Sequence, residues 1–187
     1  MTWDPCPALI FAGRGYPLPM PATQPSTEAG AVARAYFEAV AERDLEAMVG
    51  FYEPGGTGEI HGLVSLTVPD TYRAWFGNLF AAFPDFRFEI LEIVAEGEKA
   101  AVRWHATGTF NGTTRFEGME PTGAKVDLTG FDLLTVRNGR IQRNDAYMNG
   151  TQMAQQLGAL PPPGSPAERA TLAALNLKTR VARALRR

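Results

Sequence analysis

Residues 125–148, "KVDLTGFDLLTVRNGRIQRNDAYM", carry the sequence pattern that decides the fold. Apolar and polar residues alternate on both sides of Asn138-Gly139, and this dipeptide is the strongest short signal for a two-residue hairpin turn. Residues 86–110 repeat the alternation around Gly97, which supplies a second turn. The two stretches together predict four antiparallel strands.

The region before these strands has helical periodicity. Ser26 or Thr27 can cap a first helix, and Asp44 is placed to cap a short second helix. Asp70 opens a third helix, whose apolar side chains form a broad stripe at helical spacing. The Gly-rich residues 53–62, between the second and third helices, are interpreted as a loop. A short fourth helix follows the last strand.

Helices followed by an antiparallel meander predict an α+β domain over residues 27–163. Its curved, cone-shaped sheet is expected to wrap around the N-terminal helices and to leave a cavity lined by inward-facing strand residues. Residues 1–26 are rich in proline and are expected to form an irregular arm. Residues 164–187 predict a basic, weakly amphipathic surface helix, with a dimer contact or binding to an acidic partner or membrane surface as alternatives.

Composition narrows the classes of function. The chain has 18 Lys and Arg against 20 Asp and Glu, so its overall charge indicates neither a nucleic-acid partner nor a membrane partner. Its single cysteine, Cys6, cannot form an internal disulfide, which fits a cytoplasmic protein. The two histidines lack the HxH and HExxH spacings of metal sites, so no metal site is predicted.

Two aspartates in the strands are candidates for acid or base chemistry. A period of two places Asp145 on the same face of the last strand as Ile141 and Tyr147, and this face looks inward. Asp145 is therefore the leading candidate for a general base in the cavity. Asp132 shares a face with apolar neighbours on the preceding strand and is the second candidate. For both residues the structural alternative is a pair with a neighbouring side chain.

Four segments carry a resemblance to a known family. They are "HGLVSLTVPDTYRAWFGNLFAAFPDFRFEI", "AAVRWHATGTFNG", "EGMEPTGAKVDLTGFDLLTVRNGRI" and "QQLGALPP". In this order the chain resembles the SnoaL-like polyketide cyclases and ester cyclases of the nuclear transport factor 2-like superfamily, over about residues 27 to 162. The resemblance implies a cone with a deep pocket for a small-molecule substrate. It also implies a homodimer formed through the exposed face of the sheet.

The chemistry that the resemblance implies is an intramolecular aldol ring closure without a metal or an organic cofactor. A pocket aspartate acts as acid and base while other polar residues hold the enolate. His105 is a candidate to polarise a carbonyl or relay a proton, and Tyr147 is a candidate hydrogen-bond donor. Many relatives have histidine and aspartate where this chain has Phe110 and Asn149.

The remaining candidate contacts with substrate are a histidine, a tryptophan and an arginine. The resemblance places His61 at the pocket rim, whereas Trp75 is assigned to the core or the pocket wall and Arg103 to the second predicted strand. Tyr147 and Asn149 complete this set. Each histidine has the alternative of a structural residue with satisfied hydrogen bonds.

Two other hypotheses on function stay open beside that of a cyclase or isomerase. Enzymes that resemble limonene epoxide hydrolase activate water with an Arg-x-Asp spacing, but Arg103 is followed two residues later by His105. A ligand-binding or dimerisation module without catalysis is the third reading. Catalysis loses its basis if neither Asp132 nor Asp145 faces a closed apolar pocket.

Overall fold

The computed structural model describes residues 27–186, so the predicted arm of residues 1–26 lies outside the described part of the chain. The helices and strands, in chain order, are α1 (Glu28–Glu42), α2 (Leu45–Gly50), β1 (Tyr52–Ile60), β2 (Val64–Thr67), α3 (Asp70–Ala82), β3 (Arg87–Glu96), β4 (Lys99–Thr109), β5 (Lys125–Arg137), β6 (Arg140–Met148), α4 (Gly150–Gln156) and α5 (Pro166–Ala184).

The strands form one open sheet in the order β2-β1-β6-β5-β4-β3. Strands β1 and β6 run parallel, while every other neighbouring pair is antiparallel. Helix α1 packs against β3, β4 and β5 and so covers one face of the sheet. The predicted α+β architecture, a curved sheet around N-terminal helices, is confirmed.

The four predicted strands are present as β3 to β6, but β1 and β2 were not predicted. The interpretation of the Gly-rich residues 53–62 as a loop was wrong, because they belong largely to β1. Glycine and proline normally mark a loop or weaken a strand. Here Gly56 serves a close backbone approach: a Cβ at this position would lie 3.1 Å from the carbonyl oxygen of Ile141. A residue without a side chain therefore lets β1 run beside β6, and the sequence pattern of a turn hides a strand.

The predicted helix starts are confirmed by the caps. The Thr27 side chain accepts a hydrogen bond from the Gly30 amide at 3.1 Å, and Asp44 accepts from two amides at the start of α2. The hairpin between β5 and β6 is also as predicted. Asn138 and Gly139 both have positive φ, at 51° and 71°, as a type I′ turn requires.

A β-bulge in β6 changes which residues face the helices. Thr135 pairs with Arg143 and Val136 pairs with Ile141, so Gln142 is an extra residue in β6. An extra residue shifts the alternation by one, so the inner face passes from Ile141 to Asn144. Both of these residues are buried. The prediction that Ile141, Arg143 and later odd-numbered positions share one inward face was therefore wrong.

The C-terminal helix α5 buries none of its residues. It follows the cone domain as the sequence predicts, and its role stays open. Within residues 27–186, no helix combines the length and the apolar character needed to cross a membrane. The cytoplasmic location suggested by cysteine content stays a prediction.

Candidate functional site

A cavity of about 120 Å³ lies between the helices α1 and α3 and the inner face of the sheet. Its wall is mainly apolar and rich in aromatic side chains, among them Phe37, Trp75, Phe76, Phe86, Phe88 and Trp104. The volume is of the order of the roughly 150 Å³ engineered cavity that binds benzene. The few polar groups on this wall therefore decide what chemistry the cavity can support.

Asp132 on β5 is the buried carboxylate of this wall, with 5% of its surface exposed. It lies opposite Ala146 of β6. Its Oδ1 accepts a hydrogen bond from Trp104 Nε1 at 2.7 Å, and its Oδ2 accepts one from Asn144 Nδ2 at 2.6 Å. Two donors from neighbouring strands thus hold the carboxylate in one orientation.

Burial raises the pKa of Asp132 from 3.8 to about 6. The hydrogen bonds from Trp104 and Asn144 act in the opposite direction, because they favour the charged form, and they only partly offset burial. A carboxyl with a pKa near 6 can both accept and release a proton near neutral pH. Asp132 thus has the property expected of an acid and base in the cavity.

Gly130 allows the Trp104 indole to reach Asp132. The two residues are directly paired between β4 and β5, and a Cβ at Gly130 would lie 2.3 Å from Trp104 Cζ2. It would also lie 2.6 Å from the carbonyl oxygen of Tyr147. Only glycine leaves room for the indole ring over the strand.

Three tyrosine hydroxyls meet in the same cavity. Tyr36 comes from α1, Tyr52 from β1 and Tyr72 from α3. The hydroxyls of Tyr36 and Tyr72 lie 2.5 Å apart, and Tyr52 donates to Tyr36 at 3.5 Å. Burial raises the pKa of each tyrosine well above 10, so all three keep their protons at neutral pH. The cavity therefore contains a cluster of neutral hydroxyl donors.

Asn144 contributes a second polar feature to the cavity wall. Its Nδ2 donates to Asp132, whereas its Oδ1 is buried and has no hydrogen-bond partner. A buried acceptor without a partner is uncommon and needs an explanation.

Asp145 does not line the cavity, so the prediction that it points inward was wrong. The bulge at Gln142 turns Asp145 toward the outer face of the sheet. There its carboxylate accepts two hydrogen bonds from Arg143, at 2.7 and 2.6 Å, and its Oδ1 lies 2.9 Å from His61 Nε2. The guanidinium of Arg143 lowers the pKa of Asp145, with a smaller contribution from His61. A carboxylate held in its charged form in this way is a structural partner.

The candidates His61 and Tyr147 also lie on the outer face. Their rings stack with centroids 4.2 Å apart, and Tyr147 stacks in turn on Phe131 at 5.2 Å. We call these three residues the outer aromatic stack. Neither His61 nor Tyr147 lines the cavity, which contradicts the predicted contacts with substrate there.

His105 and Arg103 alternate with the inward Trp104 and therefore face outward as well. His105 Nε2 lies 2.8 Å from Asp127 Oδ1, and Arg103 pairs with Glu92 at 3.3 Å. Neither residue lines the cavity. Their predicted places in the cavity were therefore wrong.

Trp75 lines the cavity as predicted, and its Nε1 donates to Glu117 at 3.0 Å. Asn149 instead caps α4: its Oδ1 accepts from the Gln152 amide at 3.0 Å. Its predicted contact with substrate has no support in this position. Phe110 is fully buried and stacks on Phe83, so it belongs to the core.

The sequence analysis missed the three tyrosines and Asn144 as site residues. Tyr36 and Tyr72 stand at apolar positions of helical stripes, and a buried tyrosine needs a partner for its hydroxyl. That mismatch was a usable signal for a polar cluster. Asn144 gave no such signal, because only the bulge turns it inward.

Metal-binding groups are sparse in the described residues. Across residues 27–186, His, Cys, Asp and Glu side chains form no group of three or more that could hold a metal ion.

Comparison with known proteins gives a family match and many matching folds. The sequence model of the SnoaL-like domain matches residues 33–144, which is more than half of the chain. A comparison with curated proteins finds no match. Solved structures of nuclear transport factor 2-like proteins also share the fold.

Three solved structures illustrate the likeness. AclR from Streptomyces galilaeus, a proposed hydroxylase, is 23% identical with a TM-score of 0.64, and the match covers 87% of this chain and 96% of AclR. A proposed SnoaL-like polyketide cyclase from Jannaschia Sp. CCS1 is 19% identical with a TM-score of 0.66, covering 76% and 99%. IdmH from Streptomyces antibioticus, a proposed polyketide cyclase, is 26% identical with a TM-score of 0.56, covering 71% and 99%.

The close approach at Gly130 leads to a test of how the site is built. We expect Gly130→Ala to lower the free energy of unfolding by roughly 1–3 kcal/mol, because the new methyl group collides with the Trp104 indole and the backbone. Chemical denaturation measures the change. Gly150→Ala is the matched control, since a Cβ there has no atom within 4 Å, and it should change stability by less than about 0.5 kcal/mol. Equal effects would contradict the packing argument.

Proposed function

This chain belongs to the SnoaL-like family, and from that premise we propose that it is a cyclase or isomerase that needs no cofactor. Its substrate is a small, largely apolar carbonyl compound bound in the cavity, and Asp132 is its general acid and base. One observation carries the proposal: a buried carboxylate with a pKa of about 6 lines an aromatic cavity.

The first step of such a reaction is proton transfer from carbon. The Asp132 carboxylate removes a proton from a carbon next to a carbonyl, and the electron pair of the C–H bond moves onto the carbonyl oxygen as an enolate. A base is most effective when its pKa lies near the working pH, which favours Asp132 over the strongly paired Asp145. The aromatic wall keeps bulk water from reprotonating the enolate.

The tyrosine cluster supplies a donor for the enolate oxygen. Tyr36, Tyr52 and Tyr72 have three hydroxyl hydrogens but share two hydrogen-bond contacts within 3.5 Å, so a third hydrogen can turn from the cluster to a ligand. Donors held in place in a dry site stabilise a developing oxyanion strongly. Because their pKa values are raised, the tyrosines stay neutral donors while Asp132 is charged.

The second step distinguishes a cyclase from an isomerase. In a cyclase the enolate carbon attacks a second carbonyl of the same substrate, a C–C bond forms, and Asp132 returns its proton to the new alkoxide. In an isomerase Asp132 returns the proton to a different carbon. Both reactions need the same base and the same donor, and the shape of the substrate selects between them.

The epoxide hydrolase hypothesis has no support from the position of its residues. Arg103, on which it depends, lies on the outer face of the sheet and pairs with Glu92, and His105 stands where that spacing requires an aspartate. A ligand-binding module without catalysis remains the second candidate, since the cavity alone serves it. The two functions differ in whether Asp132 moves a proton.

Hydrogen exchange at carbon tests the role of Asp132 directly. We expect the protein to accelerate exchange of the α-hydrogens of 1-indanone in deuterium oxide, measured by proton NMR, above the buffer rate. Asp132→Asn should reduce this acceleration by about 100-fold or more, because it removes the base. The rate for the native protein should rise as the pH increases through about 6, where the carboxylate forms.

The matched control is Asp145→Asn, the same substitution on the neighbouring strand. We expect it to retain the exchange activity, because Asp145 lies on the outer face with Arg143 and His61. Equal loss in both variants would contradict the assignment of Asp132. A cavity that binds 1-indanone without accelerating exchange would favour the ligand-binding module.

Asp132→Asn should lower the exchange activity but raise the stability of the fold, because it removes a buried charge. Because the pKa of Asp132 is higher in the folded state than its ordinary 3.8, the carboxyl stabilises the fold fully below about pH 4, and this contribution is lost as the pH rises through about 6. A shift of about two units corresponds to about 3 kcal/mol. The variant should therefore gain about 3 kcal/mol relative to the native protein between pH 4 and pH 8.

Asn144 makes this variant structurally feasible. When its side-chain amide rotates, the unpartnered Oδ1 can accept a hydrogen bond from the new amide at position 132. Chemical denaturation of both proteins across this pH range measures the difference. A difference that does not change with pH would contradict the raised pKa of Asp132.

The outer aromatic stack supports a homodimer through the sheet. Phe131 and Tyr147 are each 41% exposed, and their stacked rings form an apolar strip on the face opposite the cavity. Exposed aromatic side chains of this kind are typical of the centre of protein interfaces. We propose that a second copy of this chain covers the strip.

Light scattering coupled to size-exclusion chromatography tests the dimer. We expect a dimer for the native protein and a shift to monomer for Phe131→Glu, which places a charge in the strip. Leu160→Glu is the control, since Leu160 is similarly exposed at 44% but lies after α4. A native protein that elutes only as monomer would reject the proposal.

A further inference from the structure

The unpartnered oxygen of Asn144 indicates which chemical group a ligand of the cavity carries. Asn144 is 95% buried, its Oδ1 has no hydrogen-bond partner among the described residues, and the side chain lines the cavity. We infer that the ligand carries an O–H or N–H group that donates a hydrogen bond to Asn144 Oδ1.

The orientation of the Asn144 amide is fixed by its neighbour. Its Nδ2 lies 2.6 Å from Asp132 Oδ2, and this carboxylate oxygen can only accept a hydrogen bond when Asp132 is charged. Rotating the amide by 180° would bring two acceptor oxygens together at that distance. While Asp132 is a carboxylate, Asn144 therefore offers its oxygen to the cavity and never its NH₂ group.

A ligand that places a hydrogen-bond acceptor beside Asn144 Oδ1 would gain no binding free energy from this contact. An oxygen or nitrogen lone pair beside Asn144 Oδ1 leaves both acceptors unsatisfied in a dry site. A donor on the ligand satisfies the buried oxygen, which otherwise has no hydrogen-bond partner among the described protein residues. Asn144 thus selects ligands by the direction of one hydrogen bond.

Together with the carbonyl of the proposed function, on which this step rests, the donor defines a substrate class. The tyrosine cluster can turn one hydrogen to an acceptor, and Asn144 has one free oxygen for a donor. The ligand that satisfies both is a ring compound that carries a carbonyl and a hydroxyl group, such as an enol or a phenol bearing a ketone.

A pair of isosteric probes isolates the donor from shape and apolar area. Indole and benzofuran have the same bicyclic outline, but only indole has an N–H group. We expect indole to bind about tenfold more tightly than benzofuran, measured by isothermal titration calorimetry with the full chain at pH 8, where Asp132 is charged.

Two variants assign this preference to Asn144. In Asn144→Leu the ratio of the two affinities should fall to about one, because the buried acceptor is gone. Asn176→Leu is the control: it makes the same substitution on α5, which buries none of its residues and does not line the cavity, so the ratio should persist. Circular dichroism verifies that each variant is folded.

The outcomes separate this inference from the proposed catalysis. Equal affinities of indole and benzofuran for the native protein would overturn the inference whether or not Asn144→Leu folds, and so would a ratio that survives in a folded Asn144→Leu variant. Absence of binding by either probe would overturn the inference and the small-molecule pocket together. A tenfold ratio in a protein that does not exchange the hydrogens of 1-indanone would support the inference and reject the catalytic role of Asp132.

Discussion

The burial of one carboxylate is the constraint on which the cavity depends. A charged Asp132 is costly among apolar side chains, and the fold partly offsets that cost with one donor from each of the two flanking strands. Trp104 can reach it only because position 130 is glycine. Asn144 can reach it only because β6 contains an extra residue. One glycine and one bulge in the sheet therefore allow two donors to reach a single acid.

The bulge at Gln142 also turns Asp145 away from the cavity that Asp132 lines. Asp132 of β5 faces inward while Asp145 of β6 faces outward, so the two carboxylates stand on opposite sides of the same sheet. Their surroundings move their pKa values apart: burial raises one, and Arg143 lowers the other. Groups separated in this way take different roles: Asp132 can exchange protons near neutral pH, whereas Asp145 is charged there.

Sequence patterns predict the parts of this protein that local chemistry controls. The caps at Thr27 and Asp44 and the turn at Asn138-Gly139 depend on residues within a few positions of each other, and they were predicted. Strand β1 was missed because the close approach of Gly56 to the distant backbone of β6 cannot be seen in the local sequence. The facing of Asp145 was predicted wrongly because a bulge is set by pairing between strands, and strict alternation does not contain it.

The second acid candidate shows what such a pattern can still deliver. Asp132 stands among apolar neighbours in an unbroken part of β5, where its pairing with β4 runs without a shift of register. Alternation is reliable there, and it places the acid inward. To predict which acid faces the cavity, the position of the acid relative to a bulge therefore matters more than the presence of an acid in the strand. Asn144 lies just beyond the bulge, so strict alternation places it outward whereas the extra residue turns it inward. It becomes the partner of Asp132 and keeps one oxygen without a partner among the described protein residues, which a ligand with a donor group can satisfy.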